Sequence, residues 1–306
     1  MYVLYNIVIS LEVIIIVLIG VAFITLSERK VLGSMQRRKG PNILGLYGLL
    51  QPIVDGLKLA IKEQIIPQQA NKIYYILGPI ITLVLALIIW VPIPFNIKGM
   101  ITENEYSILY IIAISSLSVY ILLFTGWSSN SKYAFLGAIR SIAQLISYEV
   151  SIGLIIMGVI IINNSLNLTT ILYNQIYISN YRIIFPLFIL FLISALAETN
   201  RPPFDLPEAE SELIAGYIVE YGGFTFAAIY LAEYTFIQSM SVLTSILFFG
   251  ASNPLIISLI IFFFIWIRAT LPRIKYNNLM QLGWQKILPF TIAFIILEIS
   301  IVILLN

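Results

Sequence analysis

The sequence has no cysteine and no histidine in 306 residues. The usual ligands for zinc, for iron–sulfur clusters and for most haems are therefore missing, and no disulfide can form. Thiol and imidazole nucleophiles are missing too, which leaves acids, Arg, Lys, Tyr and the backbone to carry any chemistry. Electron transfer, if it occurs, has to use a cofactor held on another molecule. Charge is also scarce: Asp, Glu, Lys and Arg make up 10% of the chain against 60% hydrophobic residues, and mean hydropathy is +0.98. That balance lies outside the soluble range and marks an integral membrane protein. The net charge of +2 says little by itself.

Long apolar runs are abundant. A bilayer core of about 30 Å needs about 20 apolar residues of helix, because unsatisfied backbone polar groups are too costly in lipid. Eight stretches qualify, at about 3–26, 73–92, 107–127, 142–163, 183–198, 217–238, 254–271 and 287–305. The predicted fold is all-α: a polytopic membrane protein with eight transmembrane helices, forming a single integral membrane domain over residues 1–306. No repeat period is evident, and strings such as Ile155–Ile162 and Ile256–Ile265 are too long and apolar for soluble strands. The first run lacks an early cleavage site or basic leader and reads as a retained span.

Basic residues alternate by side. Fifteen of the 17 fall in loops that an eight-span arrangement puts on one face, leaving only Lys98 and Arg182 on the other. By the positive-inside rule this face is cytosolic in a bacterium or the matrix face in a mitochondrion, with both termini on the opposite side. The long loops on it cover about 27–72, 128–141, 199–216 and 272–286. The first contains a predicted amphipathic helix from Leu49 to Ile66, with Leu50, Ile53, Val54, Leu57, Ile61 and Ile65 on one face and Gln51, Asp55, Lys58 and Lys62 on the other. It reads either as an anchor in the lipid interface or as one wall of a cavity.

Seven of the 15 acids lie between Glu198 and Glu233: Glu198, Asp205, Glu208, Glu210, Glu212, Glu220 and Glu233. The chain turns at Pro202-Pro203, and a helix start is expected near Asp205–Pro207. Capping alone would explain Asp205 and Glu208. It does not explain Glu212, Glu220 and Glu233, which continue into an apolar segment. Carboxylates in or near a bilayer are costly, and the usual escape is to exist neutral or to exchange protons, so a chain of them is a candidate proton path. Glu149 is a further member. The alternative makes each acid a fixed partner of an arginine, with Arg140 and Arg201 as structural charge partners. Glu12 and Glu298 lie mid-span in the first and last helices.

Five blocks carry a resemblance: Glu28-Arg29-Lys30 through Asn42, Gln51-Pro52 through Lys58, Gly126 through Tyr133 with Ser147-Tyr148-Glu149-Val150, Glu198 through Glu212, and Arg268 through Pro272. In order, and over nearly the whole chain, they resemble the subunit 1 family of respiratory complex I and its bacterial counterparts. The resemblance implies an eight-span subunit at the junction of membrane and peripheral arms, whose long loops help two hydrophilic neighbours form a quinone chamber. It implies ubiquinone as substrate, no bound redox cofactor in this chain, and NADH, FMN and Fe–S clusters on partner subunits, the terminal cluster among them. Neighbouring small membrane subunits and the lipid bilayer are further implied partners; nucleic acid is not. By position, Glu28, Arg29, Arg38, Asp55 and Phe224 match the chamber. Glu149, Glu198, Asp205, Glu208, Glu210, Glu212, Glu220 and Glu233 match the acidic funnel and relay. No catalytic residue in the narrow sense and no metal ligand is expected here, and Glu12 and Glu298 stand outside the family pattern.

The isoleucine-rich, asparagine-frequent composition, with no transit peptide apparent, points to the mitochondrial inner membrane ahead of a bacterial plasma membrane. The competing readings are a passive scaffold docking a redox arm and a free-standing ion transporter. The lack of an inverted repeat weighs against the transporter.

Overall fold

A computed structural model describes residues 2–95, 104–206 and 216–305. Among these residues there is no strand. Twelve α-helices follow one another: α1 (Tyr2–Met35), α2 (Gln51–Ile61), α3 (Lys72–Ile88), α4 (Ser107–Ser128), α5 (Lys132–Asn163), α6 (Leu168–Asn174), α7 (Asn180–Ile183), α8 (Phe185–Glu198), α9 (Gly223–Thr244), α10 (Pro254–Thr270), α11 (Tyr276–Gln281) and α12 (Leu288–Leu305). A π-helical turn at Ser245–Phe249 prolongs α9, and another at Leu282–Ile287 joins α11 to α12.

Five of these helical stretches are long and apolar enough to cross a membrane, and the shorter apolar helices Lys72–Ile88, Phe185–Glu198 and Pro254–Thr270 occupy the other three predicted positions. The eight-span pattern is therefore present, with shifted ends. α1 continues nine residues beyond its predicted end at 26 and carries Glu28 and Arg29 out on rigid helix. α8 is short: its 14 residues rise about 21 Å, less than a bilayer core of about 30 Å. The chain leaves it early, which sets Glu198 and the loop behind it inside the bundle.

Three predictions are corrected. The loop expected over 128–141 is helix from Lys132 onward, the first turns of α5, capped by the Ser131 side chain. The amphipathic helix stops at Ile61 instead of Ile66, because Lys62 is extended (φ −64°, ψ 126°). There the carbonyls of Lys62 and Glu63 lie against Gly223 at the start of α9, and Pro67 then disfavours helix at Ile66. The sixth span starts at Gly223, not 217. Residues Gly216–Ile218 form a 3₁₀ turn, and Gly223 has φ +60°, with the Lys62 carbonyl 2.9 Å from where a Cβ would be. Only glycine meets both demands without strain.

α5 is the central strut. It packs against α4, α8 and α12, and its residues Ile152, Ile155, Ile156 and Val159 join Phe191 of α8 and Ile246–Phe248 in one apolar core. α4 and α5 approach closely at Gly126, where a Cβ would stand 2.3 Å from that of Ala138. Overpacking such a contact costs about 1–3 kcal/mol. Gly126→Val is therefore expected to lower the thermal midpoint of the purified protein, and the exchange Gly126→Ala with Ala138→Gly to recover most of the loss. A Gly126→Val protein that melts with the parent would show that these helices do not pack this tightly.

Candidate functional site

The turn after α8 brings the acids and arginines together. Asn200 is left-handed (φ 52°), the Arg201 amide closes back on the Leu196 carbonyl at 3.2 Å, and the Phe204 amide on the Arg201 carbonyl at 2.8 Å. Gln144, fully buried on α5, pins the turn. Its Nε2 donates to the Ala197 carbonyl (2.7 Å), the Phe204 carbonyl (2.8 Å) and Asn200 Oδ1 (3.2 Å). Arg273, in the segment after α10, reaches Asp205 Oδ2 at 2.9 Å.

Arg201 leaves this turn to meet Glu28 of α1 at 2.8 Å. Glu28 is 4% exposed and also accepts from Arg268 at the end of α10 and from the Tyr234 hydroxyl of α9, at 2.5 Å for the latter. The Arg201 guanidinium lies 4.4 Å from the centroid of the Tyr234 ring. Burial alone would lower the pKa of Arg201. The Glu28 carboxylate, helped by Tyr234 and Glu233, outweighs it and raises the guanidinium above its ordinary value. Two guanidiniums on one carboxylate make a desolvated cluster with excess positive charge, and Glu233 feels that charge.

On one side of the cluster lies an apolar groove between α1, α2 and α9, with a volume of about 390 Å³. Val21, Thr25, Leu59, Phe226, Tyr230 and Tyr234 supply much of its wall, and Arg29 and Asp55 face it among the polar residues. Arg29 Nη1 donates to Asp55 Oδ2 at 2.6 Å, and Gln51 Nε2 to Asp55 Oδ1 at 3.0 Å. Arg29 also faces a wider open concavity of about 910 Å³ together with Arg38 and Lys39. On the other side of the cluster is a smaller cavity of about 50 Å³, lined by Glu149, Glu198, Glu233 and Tyr217 with several hydroxyl residues. The Tyr217 hydroxyl donates to Glu233 Oε1 at 2.8 Å. Glu198 Oε2 is shut off from solvent and has no hydrogen-bond partner among the described residues.

Of the residues singled out in the sequence, Arg29 and Asp55 line the groove, Glu28 and Arg201 a narrow pocket they share with Tyr234 and Arg268, and Glu149, Glu198 and Glu233 the acidic cavity. Arg38 lies in the outer concavity, with its Nε on Gln36. Phe224 is 53% exposed; the neighbouring aromatic in the groove is Phe226. Glu220 is exposed, and its carbonyl accepts from the Tyr75 hydroxyl. Asp205 is buried at Arg273, away from the acidic cavity. Arg140 is half-buried on α5. Glu208, Glu210 and Glu212 lie outside the described residues, as does most of the helix expected from Asp205–Pro207. Glu12 is exposed on α1, whereas Glu298 is 7% exposed, with its carboxyl beside Gly158.

Sequence reasoning missed Tyr234, Tyr217, Arg268 and Gln144 as site residues. A tyrosine in an apolar run reads as core, and the one available signal was the adjacency Glu233-Tyr234. Behind Glu220, Tyr75 and Tyr221 stack at 4.3 Å, and the Tyr221 hydroxyl reaches the Thr125 carbonyl and Ser128. Burial raises the pKa of that phenol, with Ser128 opposing.

Against known proteins, residues 8–299 match the profile of a family described as NADH dehydrogenase. A relative from Chondrus crispus named NADH-ubiquinone oxidoreductase chain 1 is 50% identical over 307 residues, covering 94% of both chains. A bacterial relative, a NADH-quinone oxidoreductase subunit of Paramagnetospirillum magneticum, is 49% identical over 300 residues, covering 93% of this chain and 88% of its own. Its namesake in Rickettsia prowazekii is 50% identical over 300 residues, covering 92% and 88%.

Breaking a buried ion pair from one side costs about 3–5 kcal/mol, whereas one hydrogen bond to a charged group is worth about 1.5–3 kcal/mol. Glu28→Ala is accordingly expected to destabilise the protein more than Tyr234→Phe does, by thermal melting in one detergent. The reverse order would show that Glu28 is not the hub of the cluster.

Proposed function

The chain belongs to the NADH dehydrogenase family, and from that premise we propose that it is the core membrane subunit of a proton-translocating NADH:quinone oxidoreductase, helping to form the quinone chamber and coupling quinone reduction to proton movement. The observation that carries this reading is a chain of side-chain interactions leading from the groove to the acidic cavity. Tyr234 lines the apolar groove and donates to Glu28; Glu28 holds Arg201; the charge on Arg201 acts on Glu233; and Glu233 shares the inner cavity with Glu198 and Glu149.

The chemistry assigns parts to each side. Reduction of a quinone to a quinol takes two electrons and two protons. With no Cys or His in the chain, the electrons come from a partner subunit carrying Fe–S clusters, as the NADH and flavin chemistry does. The groove suits an apolar ring and tail, with Arg29 and Asp55 toward its polar end. Negative charge arriving on the quinone draws on the surplus positive charge around Glu28, and a shift of Arg201 changes the field at Glu233. The acids of the inner cavity respond as coupled sites rather than singly. A cavity of about 50 Å³ exceeds the 10–15 Å³ or so that one water needs, so water can link these carboxyls.

Glu208, Glu210 and Glu212 belong to the same relay in this reading, with Asp205 and Glu220 at its edge. Hydrophilic partners cover the basic face over Arg38 and Lys39, and small membrane subunits take up protons from the acids. The composition supports the mitochondrial inner membrane, with the long loops in the matrix; the bacterial plasma membrane is the alternative. A second reading, a static scaffold for the redox arm, is favoured by the way Glu28 clamps α1, α9, α10 and the α8 turn together.

Two experiments separate these. In assembled complex, Glu198→Gln is expected to lower NADH-to-quinone activity several-fold while NADH-to-ferricyanide activity persists. Full quinone activity with intact coupling would favour the scaffold. Arg29→Ala removes a pair that is 53% exposed on its Arg side and worth about 1 kcal/mol or less. It is expected to leave assembly unchanged and to raise the KM for short-chain quinone; an unaltered KM would remove Arg29 from the chamber.

A further inference from the structure

Below the acidic cavity lies a second, smaller chamber. The two share Ser115, Glu198 and Phe236. On each of five helices the lining advances in the same direction, away from the predicted basic face: from Thr82 on α3 to Ile89 just past its end, Leu122 to Ile111 on α4, Glu149 to Ile156 on α5, Glu198 to Phe191 on α8, and Glu233 to Leu243 on α9. The lower chamber measures about 20 Å³, against the 10–15 Å³ or so that one water needs. It has room for one water molecule and not for a chain of them.

Its polar groups suit that occupant. The hydroxyls of Ser115 and Ser239 spend their protons on the Ile112 and Phe236 carbonyls, each at 2.9 Å, so both turn lone pairs to the chamber. Glu198 Oε2 is sealed from solvent and has no hydrogen-bond partner among the described residues. A water can donate one hydrogen to each hydroxyl and accept from the Glu198 carboxyl in its protonated form, which gives it the two to four partners that a buried site requires. The rest of the lining is apolar, and on the far side Leu243 and Met240 are followed by the fully buried Ile246, Leu247 and Phe248.

We propose that the lower chamber binds a single water molecule between Glu198, Ser115 and Ser239, and that the proton path of this chain ends there, closed toward the opposite face by the Met240–Leu243 layer. The role of the water rests on the proton-carrying reading above; its presence does not. With that layer closed, a proton reaching Glu198 returns to the acidic cavity or leaves sideways to a neighbouring subunit.

The test uses the assembled complex. A high-resolution density map of the unaltered enzyme is expected to show one ordered water within about 3.2 Å of all three side chains, and none between Leu243 and Phe248. In proteoliposomes, Leu243→Asn is expected to speed the decay of a pH gradient several-fold after turnover stops, with ferricyanide activity intact, whereas Leu243→Met leaves the decay unchanged. A file of waters running past Leu243, an unfilled lower chamber in a map that resolves waters in the upper one, or an unchanged leak in Leu243→Asn would each overturn the proposal. If Leu243→Asn does not assemble, the map alone decides. The three-partner water together with a fully coupled Glu198→Gln enzyme would refute the proton-carrying role and support the water site.

Discussion

One buried carboxylate fixes the arrangement on which everything else depends. Glu28 is the common acceptor for Arg201, Arg268 and Tyr234, and these four residues come from α1, the α8 turn, α10 and α9. A charge this far from water is tolerated only because its partners are ionic and hydrogen-bonded at once. In satisfying Glu28 the chain therefore commits four segments to one geometry. That geometry puts the apolar groove on one side of Tyr234 and the acidic cavity on the other side of Arg201.

How much of this was legible follows from the range of the interactions. The eight apolar runs are local properties, and they reappear as helices near their predicted positions. The basic-side asymmetry is likewise a matter of loop composition alone. Helix ends were not: the stop at Ile61 and the start at Gly223 are set by two segments meeting in space, with Lys62 and Gly223 161 positions apart in sequence. Glu28, Arg29, Asp55 and the acids from Glu198 to Glu233 stood out as charges in apolar surroundings. Which of them touch did not, because nothing in the spacing of positions 28, 201, 234 and 268 says that they converge. Family resemblance placed Phe224 at the chamber, where the described groove is lined by Phe226 and Tyr230. It left Tyr234 unmarked.

The cavities also differ in kind. The groove is wide and mostly apolar, whereas the acidic cavity is an eighth of its volume and brings three carboxyls and several hydroxyls in among apolar side chains. Five helices taper from polar to apolar linings in step below it. Polarity in this bundle is thus arranged by depth. Below Glu149 and Glu233 the lining continues as Ile152 and Ile156 on α5 and as Phe236, Ser239, Met240 and Leu243 on α9.

Gln144 is the least conspicuous member of this architecture. Its amide nitrogen faces three oxygens, the carbonyls of Ala197 and Phe204 and the side chain of Asn200, so the site selects for a donor at that atom. Glutamate has nearly the same shape and differs by one atom, yet would set oxygen against oxygen on all three contacts. Alanine would merely leave them unmet. The tolerance of this position to substitution is therefore governed by the polarity of a single atom, not by volume, and size-based similarity between amino acids misjudges it.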